Sequence, residues 1–469
     1  MDSDLQDYDV IPVVRELSAD TLTPLVAFAA LSGETTEAFL FESVERGENV
    51  GRYSFIGFEP RRNLVFDGRV SDPVRVLNEE LVPLRVKGEE ALPPFFGGAV
   101  GYFGYNVAGW SERIPDTRQD DLGIPDAKLL FFDNVVVFDH VRQRLFVVAN
   151  VFTKDGSIAD ANVRLDRAID RLRNASVEPI AFPSDVETVP FRSTHTREAF
   201  ERMVRRGQEE IVAGEIFQIV LSQRWETEYP TAEALTLYRA LRSINPSPYM
   251  FLLRTNECTL VGASPEMLVR VTDSLAETRP IAGTRPRGRT HDEDVAHEQS
   301  LLDDPKENAE HLMLVDLGRN DLGRVCASGT VAVADFCHVE RYSHVMHLVT
   351  DVHGQLRDEH TPADAFLSCF PAGTVSGAPK IRAMELIDEL ESVRRGPYAG
   401  AVAYFGFSGN LDSCITIRTI TLVNDRAYVQ AGAGIVYDSD PGTEFVETEN
   451  KSLALRRAVS VAKAILTVR

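Results

Sequence analysis

The chain has 469 residues, 44% hydrophobic and 26% charged, which suits two or three folded domains and excludes wholesale disorder. Its formal charge of −22 excludes a general nucleic-acid binder, because phosphate recognition needs a basic face. No apolar run approaches the roughly 18 residues that span a bilayer, and the acidic start MDSDLQDYDV is unlike a secretory signal, so a cytoplasmic protein without a membrane partner is expected.

The first part reads as strand-rich, with NVVVFDH and QRLFVVANVF as neighbouring strands. A helix follows, carrying Ile158, Leu165, Ile169 and Leu172 on one face. The stretch 174–193 holds Pro179, Pro183 and Pro190 and little periodicity, so a division is expected there, between a part at 1–175 and a second at 190–469. The second part opens on a helix with Thr196 as N-cap and a stripe of Phe200, Met203, Val204, Gly207 and Ile211, ending at Gly214. Strands FQIVLSQRW, YMFLLR and TLVGAS come next. Helices are expected from Asp304-Pro305 and from Pro379, then strands SCITIRTITLV and AYVQAGAGIVY, then a last helix from near Thr443. The fold class is α+β.

Cysteines Cys258, Cys326, Cys337, Cys369 and Cys414 are dispersed and odd in number, which favours reduced thiols. Only seven of the 49 basic residues are lysines. Life at high salt and an arginine-favouring codon usage explain that bias equally well.

Two helices place carboxylates on shared faces: Glu307 with Glu310, and Glu444 with Glu447 and Lys451. Such faces are either solvated surface or, taken together, oxygen donors for Mg²⁺, which completes its shell with water and ligand. The turn in PAGTVSGAPK precedes a helix, and free N–H groups there would suit an anion. Cys414, Thr416 and Arg418 are expected on one face of a single strand, where an inward arginine needs an anionic partner. His338, His344 and His347 crowd HVERYSHVMH without a metal-binding pattern, which favours an acid–base histidine over a zinc site.

The motifs PIAGTRPRG, ENAEHLMLVDLGRNDLGRV, YSHVMHL, FPAGTVSGAPKIRAMELIDELE, RRGPYAGAVAYF and GAGIVYDSDPGTEFVETENK occur in the order found in chorismate-utilising enzymes. With LFES, RYSFIG and PPFFGGAVGYFGYN in the first part, the chain resembles the component I family of anthranilate synthases, which are lyases of tryptophan biosynthesis. The resemblance implies two stacked, largely antiparallel sheets with outer helices. It implies that Glu310 and Glu447 hold Mg²⁺, with Glu307 and Glu444 beside them and Glu307 also counted with the catalytic set. Gly283, Thr284, Tyr398, Arg418, Gly432, Ala433, Gly434 and Lys451 match chorismate-binding positions. His347, Glu266 and Thr374 match catalytic positions, Glu266 being the acid that helps the 4-hydroxyl leave. Ser43 in LFES and Pro248, Tyr249 and Met250 in NPSPYM match a pocket for L-tryptophan as feedback inhibitor, although Phe41 stands where a leucine is common.

Two positions bear on the branch. Gln218 stands where relatives that add water carry a lysine base, which speaks for ammonia as nucleophile. Ala282 stands where aminodeoxychorismate synthases of the folate pathway, the alternative reading, typically carry a nucleophilic lysine. The chain shows no glutaminase motif, so the resemblance implies a separate glutamine amidotransferase subunit, component II, in a heterotetramer.

Overall fold

TLVGASPEML and SCITIRTITLV each become two strands, broken at Pro265-Glu266 and at Arg418, and these interruptions shape the molecule. The computed structural model describes residues 7–33, 36–43, 51–68, 70–183, 185–341 and 345–468. Within them the strands form one sheet of twelve and one of ten. Neighbouring strands run antiparallel, as at Gln218–Glu228 beside Arg426–Ile435 and at Ala401–Gly406 beside Leu411–Ile415.

Strands from before and after 174–193 share both sheets. Ala38–Glu42 pairs with Tyr249–Arg254 in the larger sheet, and Gly98–Phe103 pairs with Ala401–Gly406 in the smaller. Among its described residues, the segment 174–193 holds only the two-residue strand Arg192–Ser193.

The sheets face each other through aromatic side chains. Phe39 of the larger sheet meets Phe132 of the smaller at 4.9 Å between ring centroids. Its neighbours Ala38 and Leu40 point the opposite way, into a core shared with the outer helices. With both faces covered, these strands read as apolar runs rather than alternating ones. Each buried phenylalanine contributes about 1.5–3 kcal/mol.

The outer helices start near where their caps predict. Thr196 accepts from Ala199 N at the head of Arg197–Val212, and Asp304 accepts from Lys306 N and Glu307 N at the head of Pro305–Gly323. The last helix begins at Pro441, two residues before the expected Thr443. It packs on the strand Arg426–Ile435, whereas Pro305–Gly323 packs on Ile281–Pro286 and Val345–Gln355.

SCITIRTITLV is not one strand. Leu411–Ile415 belongs to the smaller sheet and Thr419–Val423 to the larger, and Arg418 sits between them at φ 51°. The expected shared face of Cys414, Thr416 and Arg418 therefore does not exist: alternation cannot continue through a residue in the left-handed region. A second crossing lies beside it, from Thr259–Ser264 in the larger sheet to Met267–Thr272 in the smaller, through Pro265 and Glu266. The two crossings are stitched together by Ile415 N donating to Glu266 O and Ala263 N donating to Arg418 O, both 3.0 Å.

Candidate active site

A cavity of about 470 Å³ opens where these two strands change sheets. Glu266 and Arg418, from the two crossings, both line it. So do Ile281, Ala282, Gly283 and Thr284 of one strand, His347 of its neighbour, Tyr398, and Gly432 and Gly434 of the strand Arg426–Ile435. Thr374, Glu310 and Lys451 complete the polar wall. Residues from six separated motifs are thus brought to one space, whereas Glu307, Glu444 and Glu447 are not on its wall.

Glu266 is strongly altered by its surroundings. Burial raises its carboxyl to about 7, opposed by a hydrogen bond from Thr374 and by the charge of Lys451. Thr374 Oγ1 donates to Glu266 Oε1 over 2.8 Å. A carboxyl held there carries its proton through much of the neutral range and can serve as an acid.

His347 is the complementary group. Burial lowers its pKa, although a hydrogen bond to Gly283 pulls the other way. Its Nδ1 lies 2.8 Å from Gly283 O, which can only accept, so Nδ1 carries the proton and Nε2 the basic lone pair. Thr284 Oγ1 lies 3.1 Å from the same Nδ1. Gly283 turns the chain at φ 63°, and a Cβ there would stand 2.8 Å from Leu301 Cδ1 and 3.1 Å from Glu307 Oε2.

The strand Arg426–Ile435 offers backbone to the cavity. A Cβ on Gly432 would stand 2.9 Å from the Tyr398 hydroxyl, so only glycine leaves that approach open. Lys451 Nζ donates to Gly432 O at 3.1 Å and pairs with Glu447 at 2.6 Å. Ala433, between the two glycines, turns its side chain into the core and brings none to the cavity. Gln430 lines the wall and was missed in the sequence, although alternation puts it on the face of Gly432 and Gly434. Arg418 is buried, which lowers its pKa against the pull of Tyr398 and Glu447, and its Nη1 donates to Lys451 O.

The PAGTVSGAPK turn departs from expectation. Val375 N and Ser376 N are spent on Ala372 O and Gly373 O, and Gly377–Ala378 pairs with the start of Gln218–Glu228. The turn therefore contributes Thr374 and Val375 to the cavity rather than a cradle of free N–H groups. His338 bonds Asp335 O at 2.7 Å and is not on the wall, and His344 lies outside the described residues.

Glu310 accepts from Gln218 Nε2 at 3.3 Å, and burial raises its pKa, with the charge of Glu307 adding to the rise. Burial also raises Glu444, with Glu447 adding to it. Glu307 pairs with Arg285 at 3.3 Å. Lys306 and Lys451 both act electrostatically on Glu310 and Glu444, and Lys451 is ion-paired with Glu447, so carboxylates of two helices share the same two cations. Among the described residues no three His, Cys, Asp or Glu side chains gather into a metal cage. The donors present suit an ion that takes one or two carboxylates and fills its shell with water and ligand, as Mg²⁺ does.

A second cavity, of about 370 Å³, lies between the sheets. Ser43, Pro248, Tyr249 and Met250 all line it, together with Phe41, Tyr53, Phe55 and Tyr404. Ser43 Oγ is buried with no hydrogen-bond partner among the described residues. Arg270 pairs with Asp412 at 2.9 Å on its wall, and Pro248 lines both cavities.

Residues 36–457 match the family described as chorismate binding enzyme. The chain is 46% identical to anthranilate synthase component 1 of Acetivibrio thermocellus, over 98% of this chain and 97% of that one. It is 43% identical to the protein of that name from Aquifex aeolicus, over 98% and 96%. Among solved structures, anthranilate synthase component I of Streptococcus pneumoniae TIGR4 superposes with a TM-score of 0.79 at 37% identity, over 94% of this chain and 99% of that one. The menaquinone-specific isochorismate synthase of Escherichia coli shares the fold, with a TM-score of 0.74 at 19% identity, over 96% and 94%. Among the described residues no helix is long and apolar enough to cross a membrane.

Proposed function

Because the chain belongs to the chorismate-binding enzyme family, we propose that it converts chorismate and ammonia to anthranilate and pyruvate. The observation that carries this reading is the pairing, in one cavity, of an acid raised to about 7, Glu266, and a histidine whose surroundings favour its neutral form, His347. Arg418 and the backbone beside Gly432 and Gly434 bind the substrate carboxylates. Glu266 gives its proton to the ring 4-hydroxyl, which leaves as water as ammonia bonds to the ring. Thr374 keeps Glu266 aimed during that transfer. The Nε2 of His347 then takes the ring proton as pyruvate departs and the ring becomes aromatic.

Glu310 and Glu447 would hold Mg²⁺, with Glu307 and Glu444 behind them. Bound there, the ion supplies positive charge for a substrate carboxylate. Ala282 and Gln218 support amination over hydration and over a lysine-based route: neither offers a basic amine beside the ring.

The regulatory part at 1–175 contributes Phe41, Ser43, Tyr53 and Phe55 to the second cavity, where we place L-tryptophan as feedback inhibitor. Aromatic walls suit an indole, and the unpartnered Ser43 hydroxyl suits its amino-acid end. A glutamine amidotransferase subunit supplies the ammonia, in the cytoplasm.

Product identification tests the reading. With chorismate, Mg²⁺ and ammonium the enzyme should release anthranilate and pyruvate in equal amounts. Accumulation of aminodeoxychorismate without pyruvate would assign it to the folate branch instead.

A further inference from the structure

Behind the wall of the larger cavity lies an ion pair that no motif reading singled out. Arg395 is 2% exposed and Glu391 3%. Arg395 Nε donates to Glu391 Oε2 at 2.9 Å and Nη2 to Oε1 at 2.7 Å, a two-pronged pair. The remaining donors reach the backbone of two other segments: Nη1 to Val375 O and Nη2 to Val220 O, each 2.7 Å. Glu391 Oε1 also accepts from Ser222 N and Ser222 Oγ, both at 2.8 Å. Gln430 Nε2 donates to Ser222 Oγ at 2.8 Å. The guanidinium lies 5.6 Å from the ring centre of Tyr398.

Val220, Val375, Tyr398 and Gln430 all line the cavity; Arg395 and Glu391 do not. One buried guanidinium therefore sets the spacing of the strand Gln218–Glu228, the 373–375 turn and Tyr398. A buried pair of this kind gains little net stability over apolar packing, so what it adds here is geometry. We propose that Arg395, with Glu391 as its counter-charge, is a positioning residue for the reaction: it holds the Thr374–Val375 turn so that the Thr374 hydroxyl meets Glu266. This rests on the reading of the cavity as the amination site.

Arg395→Lys keeps the charge but loses the fork that reaches three segments at once. A misplacement of about 1 Å costs about 100-fold in rate, and kcat/KM for chorismate should fall on that scale. The Thr374 hydrogen bond stabilises the Glu266 carboxylate, so loosening it should also move the alkaline limb of kcat/KM to higher pH. Lys451 is the other charge acting on Glu266, and it stays in place. Thr374→Val should move the limb the same way, and the double variant should move it no further.

Glu391→Gln, nearly isosteric, serves if Arg395→Lys does not fold, and should show the same limb shift at smaller amplitude. Variants with a lowered Tm but the parental limb and kcat/KM would make the pair merely structural and overturn the proposal. A parent that makes no anthranilate would instead overturn the reading beneath it, so the two failures are distinguishable.

Discussion

The two cavities are built by the same pair of sheets from similar material, yet they hold their ionisable groups in opposite ways. In the smaller one, Arg270 and Asp412 are locked together and Tyr249 is buried and pushed far above its ordinary pKa. The Asp412 charge holds Arg270 charged, and Tyr249 keeps its proton near neutrality. In the larger one, burial raises Glu266 to about 7 and lowers His347, so each is pushed toward its uncharged form. Recognition favours groups whose charge is fixed; proton transfer needs groups whose charge is easily changed. The difference follows from position. The larger cavity opens where two strands leave their sheets, and the interrupted ladder lets Glu266 and Arg418 turn inward.

The sharpest way to break this contrast is to remove Glu310 or Glu447, the carboxylates proposed to hold Mg²⁺ for the larger cavity only. Glu310→Ala or Glu447→Ala should cost about 3–5 kcal/mol in transition-state stabilisation, a few orders of magnitude in rate. A chelator should abolish parental activity and added Mg²⁺ should restore it. Near-parental turnover in either variant would make these helix faces solvated surface. His347→Gln should lose about 100-fold or more in kcat, with the acidic limb of the pH profile flattened.

The smaller cavity should respond in a different currency. Ser43→Phe or Met250→Thr should raise the tryptophan concentration for half-inhibition about tenfold or more, the loss of about 1.4 kcal/mol of binding. An inhibition curve unchanged in both would remove tryptophan from that cavity. Glu293→Ala, at an exposed position on the wall of neither cavity, should leave turnover and inhibition unchanged, at a cost of about 1 kcal/mol in stability for the lost bond from Arg289 N.

What the sequence disclosed follows the range of the interactions involved. Helix faces are local, so Glu307 with Glu310, and Glu444 with Glu447 and Lys451, were legible from spacing, as was the Thr196 cap. Strand identity was legible too, but which sheet a strand joins is decided by partners far along the chain. That is why SCITIRTITLV read as one strand although Arg418 interrupts it at positive φ. The pairing of Arg270 with Asp412, 142 residues apart, left no local trace. Arg395 and Glu391 are only four apart, yet with the helix ending at Leu390 their spacing alone did not mark a buried pair. Gln430 was within reach, because a polar residue two and four positions before glycines on a buried strand shares their face.

The most direct test of the account is the pH dependence of kcat/KM for chorismate in the parent and in Glu266→Gln. A carboxyl raised from 4.5 to about 7 in the fold must be protonated to act, so parental kcat/KM should decline above about pH 7. The same shift makes the folded state bind the extra proton, so parental stability should fall as pH rises from 4.5 through 7, and Glu266→Gln should remove that slope. The variant's residual rate should be low and should lack the parental alkaline limb. Near-parental turnover in Glu266→Gln, or an alkaline limb that survives the substitution, would contradict the assignment of Glu266 as the acid.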